Sequence, residues 1–251
     1  MKPKKHLGQN FLIDPLIAEK IVAQLPQGRP VIEIGPGRGI ITSPILERKD
    51  PYLGIEIDPD LFRLLEKQYT GDNATFLLSD ILKTDISALF PGEKINIIGN
   101  IPYYITTPII FHLLKYAEKI GEIVLMVQKE VASRLAATPA DKKEYGVLTI
   151  MVNFEASVQY LFDIAAAEFR PIPAVDSAIV RIKPRPWPGL QPLDADFFRQ
   201  TVKKGFQQRR KMLRASLKSL PLEQTETDLT LRPENLTIEE WIRLCNDLTG
   251  K

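Results

Sequence analysis

Short runs rich in isoleucine and valine alternate with helical patterns over the first 180 residues, and this alternation constrains the fold most strongly. Gly, Pro or Asp residues bound each run, as is typical of buried strands. Alternating strands and helices favour a doubly wound α/β fold, with a parallel sheet between two layers of helices. The predicted strands are Val31–Ile34, Tyr52–Ile57, Thr75–Leu78, Ile95–Ile98 and Ile123–Val127, and the predicted helices are Pro15–Leu25, Ser43–Glu47, Pro59–Tyr69 and Pro108–Lys119.

Beyond the alternating part, the sequence predicts an antiparallel strand pair and then a domain boundary. Strands near Ser157–Leu161 and Ser177–Lys183 have no obvious helix between them, so they can close the sheet edge as an antiparallel pair. Three prolines and a glycine within residues 183–189 then indicate a boundary. We therefore expect one domain over residues 1–184 and a small all-helical domain over residues 185–251.

The predicted C-terminal domain contains a basic segment. Residues 197–218 carry eight Lys and Arg side chains, no acid, and apolar residues at helical spacing. This pattern predicts a helix with a basic flank. A solvated helix face, a contact with a nucleic-acid backbone and a contact with an anionic membrane surface all fit it.

Composition excludes several classes of protein. The chain of 251 residues is 44% hydrophobic and 25% charged, which is ordinary for a globular protein. The single cysteine, Cys245, excludes an internal disulfide framework and a Cys-cluster zinc site. Residues 95–114 carry no charged side chain, but two prolines and two asparagines there favour a strand, a turn and a helix start over a membrane span. We expect a cytoplasmic protein with no membrane contact.

A glycine-rich turn follows the first predicted strand, in the sequence VIEIGPGRG at residues 31–39. Glycines in such a turn let a ligand lie against the backbone, and ligands bind beyond the carboxyl ends of strands in these sheets. Glu56 ends the second strand within reach of a ribose, and Asp80 follows the third strand, where it can meet an adenine edge. The pattern predicts an adenosine site; the alternative is that Glu56 and Asp80 only cap the following helices.

The spacing of the glycines distinguishes between adenosine cofactors. Dinucleotide sites use G-x-G-x-x-G against a pyrophosphate, whereas here the pattern is G-x-G-x-G, with Glu33 two residues before Gly35. A carboxylate suits the sulfonium and ammonium groups of S-adenosylmethionine better than it suits a phosphate. We therefore favour a methyltransferase that needs no metal over a NAD-dependent reductase.

The sequence NIPY at residues 100–103 follows the fourth strand and faces the same ligand site. The exocyclic amine of a nucleobase is a poor nucleophile, so carbonyl groups that accept its N–H groups would orient it and stabilise the growing positive charge. Asn100 and a main-chain carbonyl near Pro102 are the candidates, and Tyr103 offers a stacking face. The alternative is a proline turn that simply ends a strand.

Four motifs taken together resemble the KsgA-type rRNA adenine N6,N6-dimethyltransferases. They are QNFL at residues 9–12, EIGPG at 33–37, NIPY at 100–103 and FRPIPAVDS at 169–177, and QKEV at 128–131 and QRRK at 208–211 also look like that family. The resemblance runs over nearly the whole chain in the family's order.

The resemblance implies a Rossmann-like class I methyltransferase domain that uses S-adenosylmethionine and a small helical domain. It also implies dimethylation of two adjacent adenines in a hairpin near the 3′ end of 16S rRNA, during assembly of the 30S subunit, by a monomer. By motif position, the cofactor would be bound by Asn10, Leu12, Gly35, Gly37, Glu56, Asp80 and Asn100. The target adenine would be held by Asn100, Pro102 and Tyr103, with Phe169 packed on the opposite face of the base.

Some alternatives remain open within this resemblance. An erythromycin-resistance-type 23S rRNA adenine N6-methyltransferase shares several of the motifs, and a non-catalytic RNA-binding assembly factor could use the same scaffold. Phe169 could be an ordinary core aromatic. Lys2, Lys4, Lys5 and the basic segment are interpreted as contacts to the RNA backbone, which would weaken binding as salt rises.

Overall fold

The computed structural model describes residues 3–4, 7–70 and 73–249, and the predicted strands occur in it with small changes at their ends. Two extra strands, β1 and β8, have two residues each and were not predicted. The strands are β1 (Phe11–Leu12), β2 (Val31–Ile34), β3 (Tyr52–Glu56), β4 (Ala74–Leu78), β5 (Ile95–Asn100), β6 (Ile120–Gln128), β7 (Ala156–Ile164), β8 (Phe169–Arg170) and β9 (Ser177–Pro184).

Within the described residues, seven strands form one sheet in the order β4-β3-β2-β5-β6-β9-β7. Strands β2 to β6 pair in parallel, and β9 pairs antiparallel to β6, with β7 hydrogen-bonded next to β9. The predicted mostly parallel sheet is therefore confirmed. Strands β1 and β8 form a separate antiparallel pair.

The predicted helices of the alternating part begin close to the expected residues. Asp14 and Asp58 each accept a hydrogen bond from a main-chain N–H of the following turn, and a proline occupies the first helical position after each. Helices α5 and α6 were not predicted. The helices are α1 (Pro15–Val22), α2 (Thr42–Leu46), α3 (Pro59–Gln68), α4 (Thr106–Leu114), α5 (Lys129–Ala136), α6 (Val147–Glu155), α7 (Ala195–Gln207), α8 (Leu213–Ser216) and α9 (Ile238–Leu248).

The uncharged stretch at residues 95–114 folds as predicted into β5, a 3₁₀ turn at Tyr103–Ile105 and helix α4. Throughout the described ranges, each helix is too short or too polar to cross a bilayer.

The register of the parallel strands decides which side chains share a face. Glu33 of β2 lies opposite Gly54 of β3 and Ile98 of β5. Because side chains in a strand alternate between faces, Glu56 and Asn100, two residues further along, project from the same face as Glu33. Every residue of β2 and β3 is buried, so both faces of this part of the sheet are covered.

The chain divides into two compact units, Met1–Ala132 with Val158–Pro184, and Ser133–Ser157 with Arg185–Lys251. This differs from the predicted division, which left residues 133–157 in the first domain. Contacts within the second unit explain the difference. Arg199 pairs with Glu155 at 2.9 Å, and the rings of Phe154 and Phe198 lie 5.0 Å apart between their centroids.

The basic segment does not form the single predicted helix over residues 197–218. Helix α7 ends at Gln207 and α8 begins at Leu213, with Gln208 outside helical geometry at φ −120° and ψ 54°. Arg209 turns back and donates to the main-chain carbonyls of Lys142 and Tyr145. The segment between α7 and α8 is therefore held by these contacts within the second unit, in place of helical hydrogen bonds.

Substitution of Gly39, in the turn after β2, shows how much that turn depends on close packing, and substitution of Gly28 provides the comparison. Gly39 has φ 83°, and a Cβ there would lie 2.4 Å from the hydroxyl of Tyr69; Gly28 has φ 79° and nothing within 4 Å of such a Cβ. Gly28→Ala should cost about 1–2 kcal/mol from left-handed backbone strain alone. Gly39→Ala should cost a further ~1–3 kcal/mol from overpacking. Urea unfolding of both variants measures the difference, and equal losses would contradict the packing argument.

Candidate active site

The carboxyl ends of β4, β3, β2 and β5 meet at one edge of the sheet, and a cleft opens there. Its volume is about 1060 Å³ including the solvent at its open mouth. Most residues predicted for the site line this cleft. They are Asn10, Leu12, Gly35, Gly37, Glu56, Asp80, Asn100, Pro102 and Tyr103.

The glycine turn forms the floor of the cleft as predicted. Gly35 and Gly37 have φ of 65° and 63°, a conformation that glycine adopts without strain. The ring of Phe11 lies 3.3 Å from the point where a Cβ on Gly37 would stand, and the guanidinium of Arg38 lies 4.4 Å from the centre of that ring. The N-terminal segment therefore lies over the turn, as the family resemblance implies, although the contact between Phe11 and Gly37 was not predicted.

Glu56 is buried beside this turn. Its Oε2 accepts a hydrogen bond from the Gly37 N–H at 3.1 Å, and its Oε1 accepts one from the Asp58 N–H at 2.9 Å. Burial raises the pKa of Glu56, and the two main-chain donors oppose that rise. The cap of α3 is Asp58, so the capping alternative is wrong for Glu56. Each carboxylate oxygen keeps capacity for a further donor such as a hydroxyl.

Asp80 fits both of the interpretations given for it. Its Oδ1 accepts a hydrogen bond from the Leu82 N–H at 3.0 Å and so caps a 3₁₀ turn at Ile81–Lys83. Asp80 also lines the cleft, and its Oδ2 makes no hydrogen bond to any described residue. A capping role and a ligand contact are thus compatible, because they use different oxygens.

Glu33 is a buried carboxyl at the back of the cleft. The hydroxyls of Thr42 and Tyr52 both donate to its Oε2, each at 2.6 Å. Its Oε1 has no hydrogen bond to a described residue. Burial raises the pKa of Glu33 to about 7, against the lowering effect of the two hydroxyl donors. A cation in the cleft would favour the ionised form of this group.

A cluster of polar contacts around Asp58 holds the N-terminal segment over the glycine turn. The Lys4 ammonium lies 2.6 Å from Asp58 Oδ1 and 2.8 Å from Asp60 Oδ2, and the Gln9 side-chain amide donates to Asp58 Oδ2 at 2.9 Å. Asp58 is 1% exposed, so this cluster is largely shielded from water at its centre. Two carboxylates thus bind the charge of Lys4, a contact that was not predicted, and contact of Lys4 with RNA stays a prediction. Lys2 and Lys5 lie outside the described residues.

The acceptor side is built around Asn100. Its amide nitrogen Nδ2 donates to the main-chain oxygen of Asn10 at 3.0 Å. Its Oδ1 makes no hydrogen bond to a described residue and so remains available as an acceptor. The Pro102 carbonyl accepts from the Ile105 N–H at 3.2 Å, which leaves the neighbouring carbonyl of Ile101 as the candidate for a second acceptor.

Tyr103 is half-buried and its hydroxyl lies 2.7 Å from the hydroxyl of Ser177. Burial raises the pKa of Tyr103. The hydroxyl is thus occupied, and the chemical surface that Tyr103 offers to the cleft is its ring.

Phe169 is not at the cleft in this structure. It is fully buried in the hydrophobic core, in strand β8, where it pairs with Leu12 of β1. A base cannot stack on a ring that has no exposed face, so the predicted stacking position is corrected to the core position that was the alternative. Within the described ranges, no group of three or more His, Cys, Asp or Glu side chains is arranged to hold a metal ion.

The raised pKa of Glu33 predicts a pH-dependent stability. In the unfolded chain this carboxyl ionises near pH 4.5, whereas in the fold it ionises near pH 7. Its contribution is therefore present at low pH and is lost as pH rises through this window. Glu33→Gln keeps an acceptor for Thr42 and Tyr52 but does not titrate. Its free energy of unfolding, relative to the parent protein, should rise by on the order of 3 kcal/mol from pH 4.5 to 7.5.

Urea unfolding without cofactor across that pH range measures the effect. Glu47→Gln is the matched control, because Glu47 is exposed and its variant should follow the parent profile. Parallel profiles for Glu33→Gln and the parent protein would contradict the assignment.

Comparisons with known proteins show which family the chain resembles along its length. The family model for ribosomal RNA adenine dimethylase matches residues 1–248. The ribosomal RNA small subunit methyltransferase A of Pseudomonas aeruginosa is 41% identical, over 98% of this chain and 95% of its own length. The protein of the same name from Chlorobaculum parvum is 40% identical, over 98% of this chain and 89% of its own length.

Two solved structures are similar over nearly the whole chain. A dimethyladenosine transferase from Plasmodium falciparum has 28% identity and a TM-score of 0.77, covering 93% of this chain and 95% of its own. The 23S rRNA methyltransferase ErmE has 27% identity and a TM-score of 0.74, covering 96% of this chain and 100% of its own. The predicted Rossmann-like methyltransferase fold is confirmed by this likeness and by the sheet order. The chain belongs to the ribosomal RNA adenine dimethylase family.

Proposed function

We propose that this protein transfers methyl groups from S-adenosylmethionine to N6 of two adjacent adenines, in a hairpin near the 3′ end of 16S rRNA. It would do so as a cytoplasmic monomer acting on the immature 30S subunit. The observation that carries this proposal is the held amide of Asn100, whose nitrogen is bound by Asn10 while its oxygen faces no competing donor among the described residues. Family membership and the small-subunit names of the curated relatives support the substrate.

The cofactor side of the cleft fits S-adenosylmethionine. The turn at Gly35 and Gly37 lines the cleft with residues that have no side chain, so a ligand can lie against the backbone there. Glu56 would accept hydrogen bonds from the ribose hydroxyls, and Asp80 Oδ2 from the adenine amine. Glu33 Oε1 is an acceptor for the ammonium group, and three acidic side chains make this end suitable for a cation rather than a phosphate. The cofactor supplies an electrophilic methyl group on a positively charged sulfur.

The acceptor side would align the target amine rather than deprotonate it. Asn100 Oδ1 and the Ile101 carbonyl would each accept one N–H of the adenine amine, so that its nitrogen is directed at the methyl group. Both carbonyl dipoles would stabilise the positive charge that grows on this nitrogen. The proton leaves after the new bond has formed, since the alkylated amine is a strong acid. Tyr103, with its hydroxyl held by Ser177, would stack on the base.

The 23S rRNA alternative has one specific observation in its favour, the similarity in fold to ErmE. The curated relatives at about 40% identity favour the small subunit instead. Incubation of the enzyme and labelled S-adenosylmethionine with immature 30S particles, and separately with naked 23S rRNA, distinguishes the two. We expect N6,N6-dimethyladenosine in 16S rRNA; methylation of 23S rRNA alone would contradict the proposal.

Removal of the Asn100 amide should separate chemistry from binding. Asn100→Ala should lower kcat by about 10²–10³-fold, the typical loss for one group that stabilises transition-state charge. Binding of 30S particles should change little. Steady-state kinetics and particle co-sedimentation measure the two effects.

Asn73→Ala is the control for this experiment, since Asn73 is exposed and does not line the cleft. Its kcat should equal that of the parent enzyme. Unchanged turnover in Asn100→Ala would remove the proposed mechanism, and particle binding by a parent protein that shows no turnover would favour the non-catalytic assembly factor.

A further inference from the structure

Tyr104 is an exposed aromatic residue at the mouth of the cleft that the mechanism above does not use. It is 62% exposed and lines the cleft. Its neighbour Tyr103 is half-buried and has its hydroxyl held by Ser177, whereas the hydroxyl of Tyr104 makes no hydrogen bond to a described residue. The two adjacent rings are therefore in different environments.

The local backbone explains how two consecutive tyrosines come to differ. Both belong to the 3₁₀ turn at Tyr103–Ile105, in which each residue advances by a third of a turn. Side chains of consecutive residues thus diverge by about 120°, so one ring can enter the cleft while the next remains at its rim.

The backbone of Gly8 lies close to the ring of Tyr104. A Cβ at Gly8 would lie 3.1 Å from Cε1 and 3.3 Å from Cδ1 of Tyr104, and 3.4 Å from Cβ of Pro102. Gly8 also has φ 60°, which favours glycine. The N-terminal segment therefore approaches the edge of the ring closely only because residue 8 has no side chain. The backbone of Gly8 thus lies against one edge of the ring and leaves most of the Tyr104 side chain exposed.

The surroundings of Tyr104 favour a nucleobase over a phosphate. Among the described cleft residues, those near it in sequence are uncharged, and so is Gly8, whose backbone approaches its ring; the former are Ile101, Pro102, Tyr103 and Ile105. Aromatic side chains stack on bases without regard to sequence, because every base has a π face. An extruded adenine is joined to its neighbours by phosphodiester bonds, so a neighbouring base must lie close to the mouth of the cleft.

We propose that Tyr104 is the stacking platform for the nucleobase adjacent to the target adenine. This inference rests on the proposed function, since it needs an adenine in the cleft. Each ring then contacts a different base. Tyr103 contacts the base that reacts, and Tyr104 contacts the next base in the RNA strand. When two adjacent adenines are modified, each would occupy the Tyr104 position while the other is in the cleft.

The test uses small-subunit particles in which one of the two adjacent adenines is replaced by 2-aminopurine. This base has hydrogen where adenine has its 6-amino group, so it cannot be methylated at N6 and leaves one acceptor. Its fluorescence falls when it stacks on an aromatic ring. Methylation of the remaining adenine and fluorescence of the bound complex are measured with the same particles, for the full-length enzyme and its variants.

Four substitutions at one position separate stacking from the other properties of tyrosine. Tyr104→Phe and Tyr104→Trp should keep the KM for particles within about twofold and retain the quenched fluorescence. Tyr104→Leu and Tyr104→Ala should raise that KM by about 5-fold to 150-fold, the range for loss of one stacked base, and should give brighter fluorescence. The Kd for S-adenosylmethionine should be the same in all four variants, because Tyr104 is not among the residues proposed to bind the cofactor.

Leu16→Ala is the control for loss of an exposed apolar side chain, since Leu16 is 71% exposed in α1 and does not line the cleft. It should leave both measurements unchanged. If the parent enzyme methylates the remaining adenine while Tyr104→Ala keeps the parent KM and fluorescence, the inference about Tyr104 is wrong and the proposed function stands. Equal impairment in Tyr104→Phe and Tyr104→Ala would also overturn it. If the parent enzyme methylates no adenine in any particle, the proposed function is wrong and this inference fails with it.

Discussion

The parallel pairing of β2, β3 and β5 is the constraint on which the site depends. The register sets Glu33 opposite Gly54 and Ile98, and the two-residue period of a strand then brings Glu56 and Asn100 onto the same face. All three side chains stand at the end of the sheet where the glycine turn opens. A register slip of one residue in any of these strands would move one of these polar groups to the opposite face. The tight packing of both faces by apolar residues makes such a slip costly.

A second constraint links the two halves of the cleft through the N-terminal segment. Main-chain donors connect Gly37 and Asp58 to the Glu56 carboxylate, and the Asp58 carboxylate in turn binds Lys4 and Gln9. The next residue, Asn10, offers its main-chain oxygen to Asn100. The glycine turn and Asn100 are thus connected by hydrogen bonds together with the peptide bond between Gln9 and Asn10. The segment that carries this series lies directly over the glycine turn, where Phe11 contacts Gly37.

The sequence predicted the sheet and most of the site, because these depend on local patterns. Isoleucine and valine runs with glycine or proline at their ends define strands, and the residues just after parallel strands must meet at one edge. Contacts between distant residues were not predictable in this way. Lys4 and Asp58 are 54 residues apart, and strands β1 and β8 are too short to show a period. The helix break at residues 208–212 contains no glycine or proline that could have predicted it. It is accompanied by hydrogen bonds from Arg209 to main-chain carbonyls near residue 142, which lie close to Arg209 only in the folded chain. Phe169 shows the same limit, since a loop motif did not reveal that its ring points into the core.

Asn100 donates its hydrogen bond to the main-chain oxygen of residue 10 and not to a side chain. The contact therefore depends on the number of residues in the N-terminal segment more than on which residue stands at position 10. Any side chain at position 10 would leave that oxygen in place. Insertion or deletion of one residue between Gly8 and Phe11 would instead displace the oxygen that accepts from Asn100 Nδ2. Without that acceptor the carboxamide could turn by half a rotation and offer donors to an amine that is itself a donor. The spacing of the N-terminal segment therefore fixes which end of the Asn100 amide faces the cleft, and the proposed methyl transfer uses that end.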